Sequence, residues 1–572
     1  MRKKDTQISN DNLIILEGTA SGDIMLCCEG LSFWGGVDPT TGIIIDVHHP
    51  NHGECISNKI LMMPTSRGSC SGSGVLLELA LKGKAPAALI FNEYEQVLTL
   101  GAVVADRIFQ CNIPVISLIG SAYQQIALAK KAVLHKNILV ANNARIALKT
   151  LRIASIETTK ADREMLNGGS GPATKMAMDI ICLMAMVDQT SELVSVSKGH
   201  IDGCILAHSA NLIFAEKMAE LGARVVIPTT INAISVDREN WQTTDLPVDF
   251  GQRASRLADA YVVMGAQPTF TCAPYLLDDA PVFGEKIGWS ESNAVIFANT
   301  VIGAQTQKHP DYLDLFIAMT GRAPFTGVYT SKGRRAGIIL DISVPKTIGV
   351  EAEVFWPLVG WVAGNCAPDR IPLIKGLEDL NPTLDNLKAL CAAFGTTSGV
   401  PMLHISGHTP ESHIAPIEDA LNRQISLSEL LSAWYELNQG ETQIDLVAIG
   451  SPHASIDELR RVSMLLADRK CHPDTQTIIT VGRQSLGQAR EEGLEARLTS
   501  AGVQLMSDLC WCSIIEPIFP SKTGGLITNS GKYAHYAHGL CGRHSRLGSL
   551  HECIEASVSG AVSPEPPSWL IQ

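Results

Sequence analysis

A single thiol, Cys272, stands in a short segment whose composition is suited to a chemical site. The residues around it read P-T-F-T-C-A-P-Y, with Pro268 and Pro274 on either side of the thiol. Proline fixes its own φ and drives the preceding residue towards extended conformations. The thiol is therefore predicted to lie on a stiff, non-helical loop, which is either part of a site or a structural connection.

Twenty residues further along, three polar side chains precede an apolar run. Glu291, Ser292 and Asn293 come directly before A-V-I-F-A-N, which is predicted to be a buried helix. A carboxylate, a hydroxyl and an amide at a helix start suit the floor of a polar pocket, and they equally suit an ordinary N-cap. Residues 268–299 are the predicted centre of the chemistry, with a structural loop and cap as the alternative.

Length and composition exclude several classes of protein. The chain has 572 residues, too many for one core, and a net charge of −13 with no basic run, which argues against nucleic acid and anionic membranes as partners. No apolar segment follows the charged N-terminus, and no apolar run is long enough to span a bilayer. Without a signal, the 15 cysteines are expected in a reducing compartment. We expect a cytoplasmic monomer or small homo-oligomer.

The order of predicted strands and helices indicates an α/β fold. Short apolar strands alternate with amphipathic helices, which predicts parallel, helix-covered sheets. We predict a small N-terminal β/α domain over residues 1–140, a linker over 141–158, a large α/β domain over 159–555 and a loose tail over 556–572. One of the predicted helices runs from Leu384 to Phe394, with Thr383 as its cap and Gly395 as its stop.

A loop rich in glycine and serine joins a predicted strand to a predicted helix at residues 66–74. A strand that leads through such a loop into a helix presents free N–H groups, which suits a carboxylate or a phosphate. The spacing fits neither the Walker pattern nor the dinucleotide fingerprint. Small residues also serve plain tight turns, so both interpretations stay open here.

Polar residues recur at the ends of predicted strands, where open α/β sheets place their sites. His200 and Asp202 follow one strand, and a predicted strand Arg224–Ile227 leads to P-T-T-I-N. Cys510 follows another strand and can meet Cys272 in space, as the ligands of a cluster often do. The motif H-H-P-N-H at 48–52 is interpreted as a polar loop, with a metal site as the alternative.

Several of these motifs together resemble the aconitase X family. The matching segments are G-S-C-S-G-S at 68–73, N-G-G-S-G at 167–171, H-I-D-G at 200–203, P-T-T-I-N at 228–232, P-T-F-T-C-A-P-Y at 268–275, E-S-N-A-V at 291–295, S-P-H-A-S at 451–455, D-L-C at 508–510 and T-N-S-G-K-Y-A-H-Y at 528–536. The likeness extends over about residues 12–555. It is greatest to the fused single-chain branch, whose members dehydrate cis-3-hydroxy-L-proline.

The resemblance implies a small swivelling domain and a large aconitase-like α/β domain that holds an iron–sulfur cluster. Cys272 and Cys510 match cluster cysteines of the family, whereas Ser451 stands where the two-subunit branch has a cysteine. Cys366 is the preferred third ligand, with Cys512 as the next choice. A missing soft ligand favours a [2Fe–2S] cluster, with [3Fe–4S] and [4Fe–4S] as alternatives.

Dehydration of a hydroxy amino acid needs a base, a Lewis acid for the departing hydroxide and an anchor for the carboxylate. Ser69 is the predicted base and Ser71 the next choice, while Ser73 is placed as a helix cap or a substrate contact. Arg67 or Lys532 is the predicted anchor, and a solvated surface cation is the alternative for each. The other predicted substrate-binding residues are His200, Thr229, Thr230, Asn232, Glu291, Ser292, Asn293 and Ser530.

The predicted function is therefore a hydro-lyase that converts cis-3-hydroxy-L-proline to Δ1-pyrroline-2-carboxylate, its partner being that small hydroxy amino acid. One alternative is dehydration of mevalonate 5-phosphate, as in the two-subunit branch of the family. Another is a non-catalytic iron–sulfur sensor, which has no need of hydroxyls and amides at so many strand ends.

Overall fold

The chain forms two units whose segments alternate along the sequence. The computed structural model describes residues 12–344, 353–514 and 516–571. Unit 1 comprises residues 1–199, 208–228 and 309–326, and unit 2 comprises residues 200–207, 229–308 and 327–572. Among the described residues, no helix is both long and apolar enough to cross a membrane.

A nine-stranded sheet with three helices dominates unit 1. Strands β2 to β5 are parallel, with helical crossovers from β3 to β4 and from β4 to β5, whereas β6 to β8 form an antiparallel meander. The strand order is β8-β7-β6-β2-β3-β4-β5-β1-β9. In chain order the elements are β1 (Leu13–Leu16), β2 (Thr19–Leu26), β3 (Ile60–Met63), α1 (Gly72–Leu81), β4 (Ala88–Phe91), α2 (Val97–Phe109), β5 (Val115–Ser117), α3 (Ser121–Ala127), β6 (Lys131–His135), β7 (Ile138–Ala141), β8 (Ala144–Ala147) and β9 (Lys149–Thr150).

The middle of the chain contributes to both units. Strands β10 and β14 pair in unit 1, and β12-β11-β13 form a three-stranded sheet. The predicted strand Arg224–Ile227 is wrong: residues 224–227 form no strand, the Val226 N–H donates to the carbonyl oxygen of Ala318, and β12 begins at Thr229 instead. The elements are α4 (Lys160–Leu166), α5 (Pro172–Val187), β10 (Leu193–Ser195), β11 (Gly199–Ile201), α6 (Ser209–Glu220), β12 (Thr229–Ile231), α7 (Val248–Val263), β13 (Gly288–Trp289), α8 (Ser292–Phe297), α9 (Leu313–Thr320) and β14 (Arg322–Pro324).

A four-stranded parallel sheet, ordered β17-β16-β15-β18, follows in unit 2. Its apolar helices pack around it in one large core. The elements are β15 (Ile338–Ile342), α10 (Phe355–Cys366), β16 (Pro372–Lys375), α11 (Leu384–Thr397), β17 (His404–Ile405), β18 (Leu421–Ile425) and α12 (Leu427–Glu436).

The C-terminal part of unit 2 is a five-stranded parallel sheet ordered β21-β20-β19-β22-β23. Parallel strands bring their carboxyl ends to one edge, and here β21 leads to the predicted residue Cys510 and β22 to Ser530 and Lys532. The elements are β19 (Leu446–Ala454), α13 (Ile456–Leu466), β20 (Gln476–Val481), α14 (Arg483–Glu491), α15 (Leu494–Ala501), β21 (Val503–Ser507), β22 (Leu526–Thr528), α16 (Gly531–Cys541), β23 (Ser545–Leu547) and α17 (Leu550–Ser559).

The predicted α/β class is confirmed, whereas one predicted helix end is wrong. Thr383 caps α11 through its side chain, as expected, but the helix continues through Gly395 to Thr397. A Cβ on Gly395 would lie 2.8 Å from Ile296 Cδ1. This glycine therefore provides room for a close side-chain contact and does not stop the helix.

Candidate active site

Three thiols lie together in unit 2. Cys272, on the loop after α7, packs with Cys510 and Cys512, which follow β21. The S–H groups of Cys272 and Cys512 both donate to the sulfur of Cys510, and these hydrogen bonds hold the Cys510 pKa well below its usual range. Burial raises the pKa of Cys272, and the bond to Cys510 raises that of Cys512. Converging buried thiols form a donor set that suits a soft metal ion or an iron–sulfur cluster.

His453, at the end of β19, connects the two loops that carry the thiols. Its backbone N–H donates to Cys272 Sγ at 3.4 Å. The imidazole Nδ1 lies 3.1 Å from Thr271 Oγ1, and Nε2 lies 2.6 Å from the carbonyl oxygen of Leu509. Burial lowers the pKa of His453, so the neutral ring is favoured.

The third thiol of this group is Cys512, whereas Cys366, the preferred third ligand, packs elsewhere in unit 2. Cys366 is the last residue of α10, where it packs on the large core, and its charged neighbours are Arg423 and Glu429. It therefore lies apart from the group formed by the other three cysteines. A turn in which Cys510 O accepts the N–H of Ser513 at 2.7 Å folds the Cys510–Cys512 segment back on itself.

A buried ion pair lies beside the thiols. Lys532 Nζ is 2.8 Å from Glu291 Oε1, and both side chains are about nine-tenths buried. Burial alone would lower the pKa of Lys532, but Glu291 and the three cysteines raise it well above its usual range. Burial would raise the pKa of Glu291, and Lys532 lowers it. Lys532 is thus a buried cation, and the alternative of a solvated surface cation is wrong.

Two asparagines extend this polar network. Asn293 donates to Glu291 Oε1, and its own Oδ1 accepts from the Tyr275 hydroxyl at 3.1 Å. Asn232 Nδ2 donates to Glu291 Oε2 at 3.2 Å and also to Asp202 Oδ1. The predicted residues Asn232, Glu291, Asn293 and Lys532 therefore lie together. Asp202 joins them, although it was not among the predicted substrate-binding residues. Its place in the motif H-I-D-G could have indicated it from the sequence.

Three more predicted residues line the ends of β11 and β12. His200 Nδ1 lies 2.7 Å from Thr230 Oγ1, and the His200 ring is 5.7 Å from that of Trp289. Burial lowers the pKa of His200 to about 4, against the opposing effect of Glu291, so its imidazole is neutral at pH 7. Thr229 is buried, and its backbone oxygen accepts from Gln267 N at 2.8 Å.

The remaining predicted residues of unit 2 stand at helix starts. Ser292 is the first residue of α8 and is half-buried. Ser530 caps α16, accepting from Tyr533 N at 3.0 Å, and its hydroxyl donates to the carbonyl oxygen of Ser451. The Ser451 hydroxyl is buried and has no hydrogen-bond partner within the described parts of the chain.

The predicted catalytic serines belong to unit 1, in the loop before α1. Ser69 is half-buried, and its Oγ accepts the N–H of Ser71 at 3.3 Å. Ser71 is the N-cap residue by position, without a capping side-chain bond. The Ser73 side chain is no helix cap: it is buried and donates to the carbonyl oxygens of Cys70 and Asp311 at 3.1 and 3.2 Å.

Arg67 and the histidines of residues 48–52 have local partners in unit 1. Arg67 is exposed and pairs with Glu29 at 3.2 Å. His49 Nδ1 accepts from Asn51 N at 3.1 Å, and His52 Nδ1 lies 3.2 Å from Asp46 O. These contacts are those of a polar loop.

Four profiles of one family match the chain. They are described as the Aconitase X swivel domain over residues 10–141, the first domain over 155–332, the second over 337–434 and the third over 444–559. A crystal structure of Thermococcus kodakaraensis aconitase X in its holo-form is similar, with a TM-score of 0.63 and 26% identity over 70% of this chain and 100% of that one.

Curated relatives extend over nearly the whole chain. The cis-3-hydroxy-L-proline dehydratase of Pseudomonas aeruginosa is 42% identical, covering 97% of each chain. That of Hypocrea jecorina is 41% identical, covering 97% of this chain and 96% of its own. The phosphomevalonate dehydratase large subunit of Methanocaldococcus jannaschii is 27% identical, covering 69% of this chain and 99% of its own.

Proposed function

The chain belongs to the aconitase X family, and we propose that it dehydrates cis-3-hydroxy-L-proline. The observation that carries the proposal is the convergence of two buried thiols, Cys272 and Cys510, and the partly buried Cys512 beside a buried Lys532–Glu291 pair. Relatives that match nearly the full length and are named for this reaction support it. The product would be the enamine, which tautomerises to Δ1-pyrroline-2-carboxylate.

The thiols of Cys272, Cys510 and Cys512 would hold an iron–sulfur cluster. Cys510 interacts with both Cys272 and Cys512, which fits thiolate ligation, and the His453 N–H would stabilise charge on Cys272. Of the possible clusters, [2Fe–2S] stays our first choice, with [3Fe–4S] and [4Fe–4S] as alternatives. When bound, iron with an open coordination position supplies a Lewis acid for the departing hydroxyl group.

The polar network would bind and orient the substrate. Lys532 supplies the positive charge that a carboxylate needs, while Glu291 offers carboxylate oxygens to the ring ammonium. Asn232 and Asn293 hold both Glu291 oxygens in place through their amides. Neutral His200, fixed by Thr230, can accept or donate a hydrogen bond without adding charge.

Ser69 is proposed as the base that removes the α-proton. A serine acts as a base when N–H groups and a nearby cation stabilise its alkoxide. Ser69 Oγ accepts the Ser71 N–H at 3.3 Å, which is one such contact. Its place at the start of α1 adds the positive end of the helix dipole.

A phosphorylated substrate is less compatible with the available cations. A phosphate carries nearly two negative charges, and burying it without Arg or Lys partners is costly. Arg67 pairs with Glu29 and Arg322 with the buried Asp162 at 3.0 Å, while Lys532 pairs with Glu291. Each of these cations already faces a carboxylate of the chain, which leaves little positive charge for a phosphate. The zwitterionic hydroxyproline adds no net charge beside Lys532, because its ring ammonium would pair with Glu291. A sensor without catalysis has no use for this network.

A substrate comparison on anaerobically purified protein tests the proposal. cis-3-Hydroxy-L-proline should be consumed with formation of pyrroline-2-carboxylate. The trans-3 epimer should be poor, because its hydroxyl points to the opposite ring face, and mevalonate 5-phosphate should not react. A comparable kcat/KM for mevalonate 5-phosphate would assign the chain to the other activity of the family.

A further inference from the structure

The two loops that carry the thiols share an unusual backbone feature two residues before each cysteine. Phe270 has φ of +43° and precedes Cys272, while Asp508 has φ of +69° and precedes Cys510. Residues other than glycine rarely adopt this left-handed region, and a bulky phenylalanine does so least readily. Such a conformation persists only where the surroundings determine it. Both side chains are buried, so their contacts are the place to look for that determinant.

Arg483, the first residue of α14, contacts both of these residues at once. Its Nε and Nη2 donate to Asp508 Oδ1 and Oδ2 at 2.6 and 2.8 Å, a bidentate pair. Its guanidinium carbon lies 4.9 Å from the centre of the Phe270 ring, within cation–π distance. Arg238 adds a second contact to Asp508 and to Phe270. Its backbone N–H donates to Asp508 Oδ2 at 3.1 Å, and its guanidinium carbon is 5.5 Å from the centre of the Phe270 ring.

The turn that carries Arg483 also lies against the residue before Cys272. A Cβ built on Gly482 would be 3.2 Å from Thr271 Oγ1, closer than ordinary contact. The turn between β20 and α14 thus packs directly on the Cys272 loop. Arg483 then reaches from this turn to the end of β21, where the Cys510 loop begins.

We propose that Arg483 is a positioning residue for the thiol site. Two guanidinium N–H groups of Arg483 bind Asp508, and the plane of the guanidinium contacts the Phe270 ring. Through these contacts Arg483 fixes the position of the Cys272 loop relative to the Cys510 loop. The inference rests on the proposed function insofar as these thiols hold iron. A lysine cannot replace it, because a compact ammonium group forms neither the bidentate pair nor the stacked contact.

Metal binding by an Arg483→Lys variant tests this role apart from activity. The variant keeps a positive charge opposite the buried Asp508. Arg469→Lys is the matched control, since Arg469 also makes a bidentate pair, with Glu555 at 2.9 and 2.6 Å, remote in sequence from both cysteine loops. The anaerobic apoprotein would be titrated with Co²⁺, followed by its thiolate-to-metal absorption, and separately reconstituted with Fe²⁺ and sulfide. We expect Arg483→Lys to bind Co²⁺ about 10- to 100-fold more weakly, the usual effect of losing a group that orients ligands.

The outcomes separate this inference from the proposed function. Arg469→Lys should match the wild-type chain, and equal Co²⁺ affinity in Arg483→Lys would overturn the positioning role. If wild-type protein shows no thiolate absorption with Co²⁺, the proposed cofactor fails. In that case, the positioning role is tested by the rates at which N-ethylmaleimide alkylates Cys272 and Cys510 in the apoprotein. Faster alkylation in Arg483→Lys would support the role, and unchanged rates would reject it. Loss of the fold in Arg483→Lys, seen by circular dichroism, would also reject it, because Arg483 would then be a general stability residue.

Discussion

Lys532 and Glu291, 241 positions apart in the sequence, form an ion pair from which water is largely excluded. Removing one partner leaves an uncompensated buried charge, which typically costs about 3–5 kcal/mol. We therefore expect Lys532→Met and Glu291→Gln each to lower the urea unfolding midpoint clearly, and the double variant to be less destabilised than the sum of the two. The exposed pair of Arg460 and Glu492 is the control, where Arg460→Met should leave the unfolding midpoint almost unchanged because solvent screens the pair.

The ligand set gives a second prediction. Cys272→Ser, Cys510→Ser and Cys512→Ser should each lose iron and the visible absorption of a cluster. Cys366→Ser should retain both, because Cys366 lies at the end of α10 and not with the other thiols. Iron and sulfide analysis of the purified variants is the measurement. Iron retained by Cys512→Ser, or lost from Cys366→Ser, would contradict the assignment.

A third prediction separates the base from its neighbours. Ser69→Ala should lower kcat by about 100-fold or more, the scale of a positioned proton-transfer group, and leave iron content unchanged. Ser71→Ala is the matched control on the same loop and should lose much less. Near-normal turnover in Ser69→Ala together with loss in Ser71→Ala would transfer the role to Ser71.

The pH dependence of stability is a fourth prediction, centred on Asp188. This residue follows α5 as its C-cap, accepts from Gln96, and burial raises its pKa from 3.8 to about 7. Between pH 4 and 7 the folded state binds more protons at this site than the unfolded state, so stability falls as pH rises and levels off above pH 7. Asp188→Asn should therefore remove the loss of folding stability between pH 4 and 7.

The size of that effect is limited because the Asp188 side chain is only partly buried. At 1.36 kcal/mol per pKa unit, discounted for solvent, we expect Asp188→Asn to gain about 2 kcal/mol at pH 8 and almost nothing at pH 4. Unfolding midpoints measured at both pH values would show this.

The sequence identified most of the site, because its residues follow strands or open helices. Cys510, Glu291 and Lys532 stand at such positions, whereas Cys272 was singled out as a thiol between two prolines. The choice between Cys366 and Cys512 depended on a turn after β21, which only tertiary contacts determine. Gly395 was wrongly predicted to end α11 for a similar reason. The close approach of Ile296, which requires a glycine here, comes from a distant part of the sequence and could not be expected from the local pattern.

Arg483 was missed for a different physical reason. Its partners, Asp508 and Phe270, are separated by more than 200 residues, and no local spacing relates an arginine at a helix start to either of them. The left-handed backbone at Phe270 could not be expected either, since phenylalanine disfavours it. The cysteines could be recognised in the sequence by their residue type, whereas the contacts that hold their loops in position could not.

The edge of the nine-stranded sheet determines how the chain can be divided. Its first strand, β1, pairs with its last, β9, through Leu13 with Lys149 and Ile14 with Thr150. The sheet thus begins and ends on adjacent strands, and one covalent connection after Thr150 leads to all later residues. Cutting the gene between the codons for residues 151 and 159 would interrupt no strand pairing. A single polypeptide and a pair of separately translated ones are therefore equally compatible with this architecture.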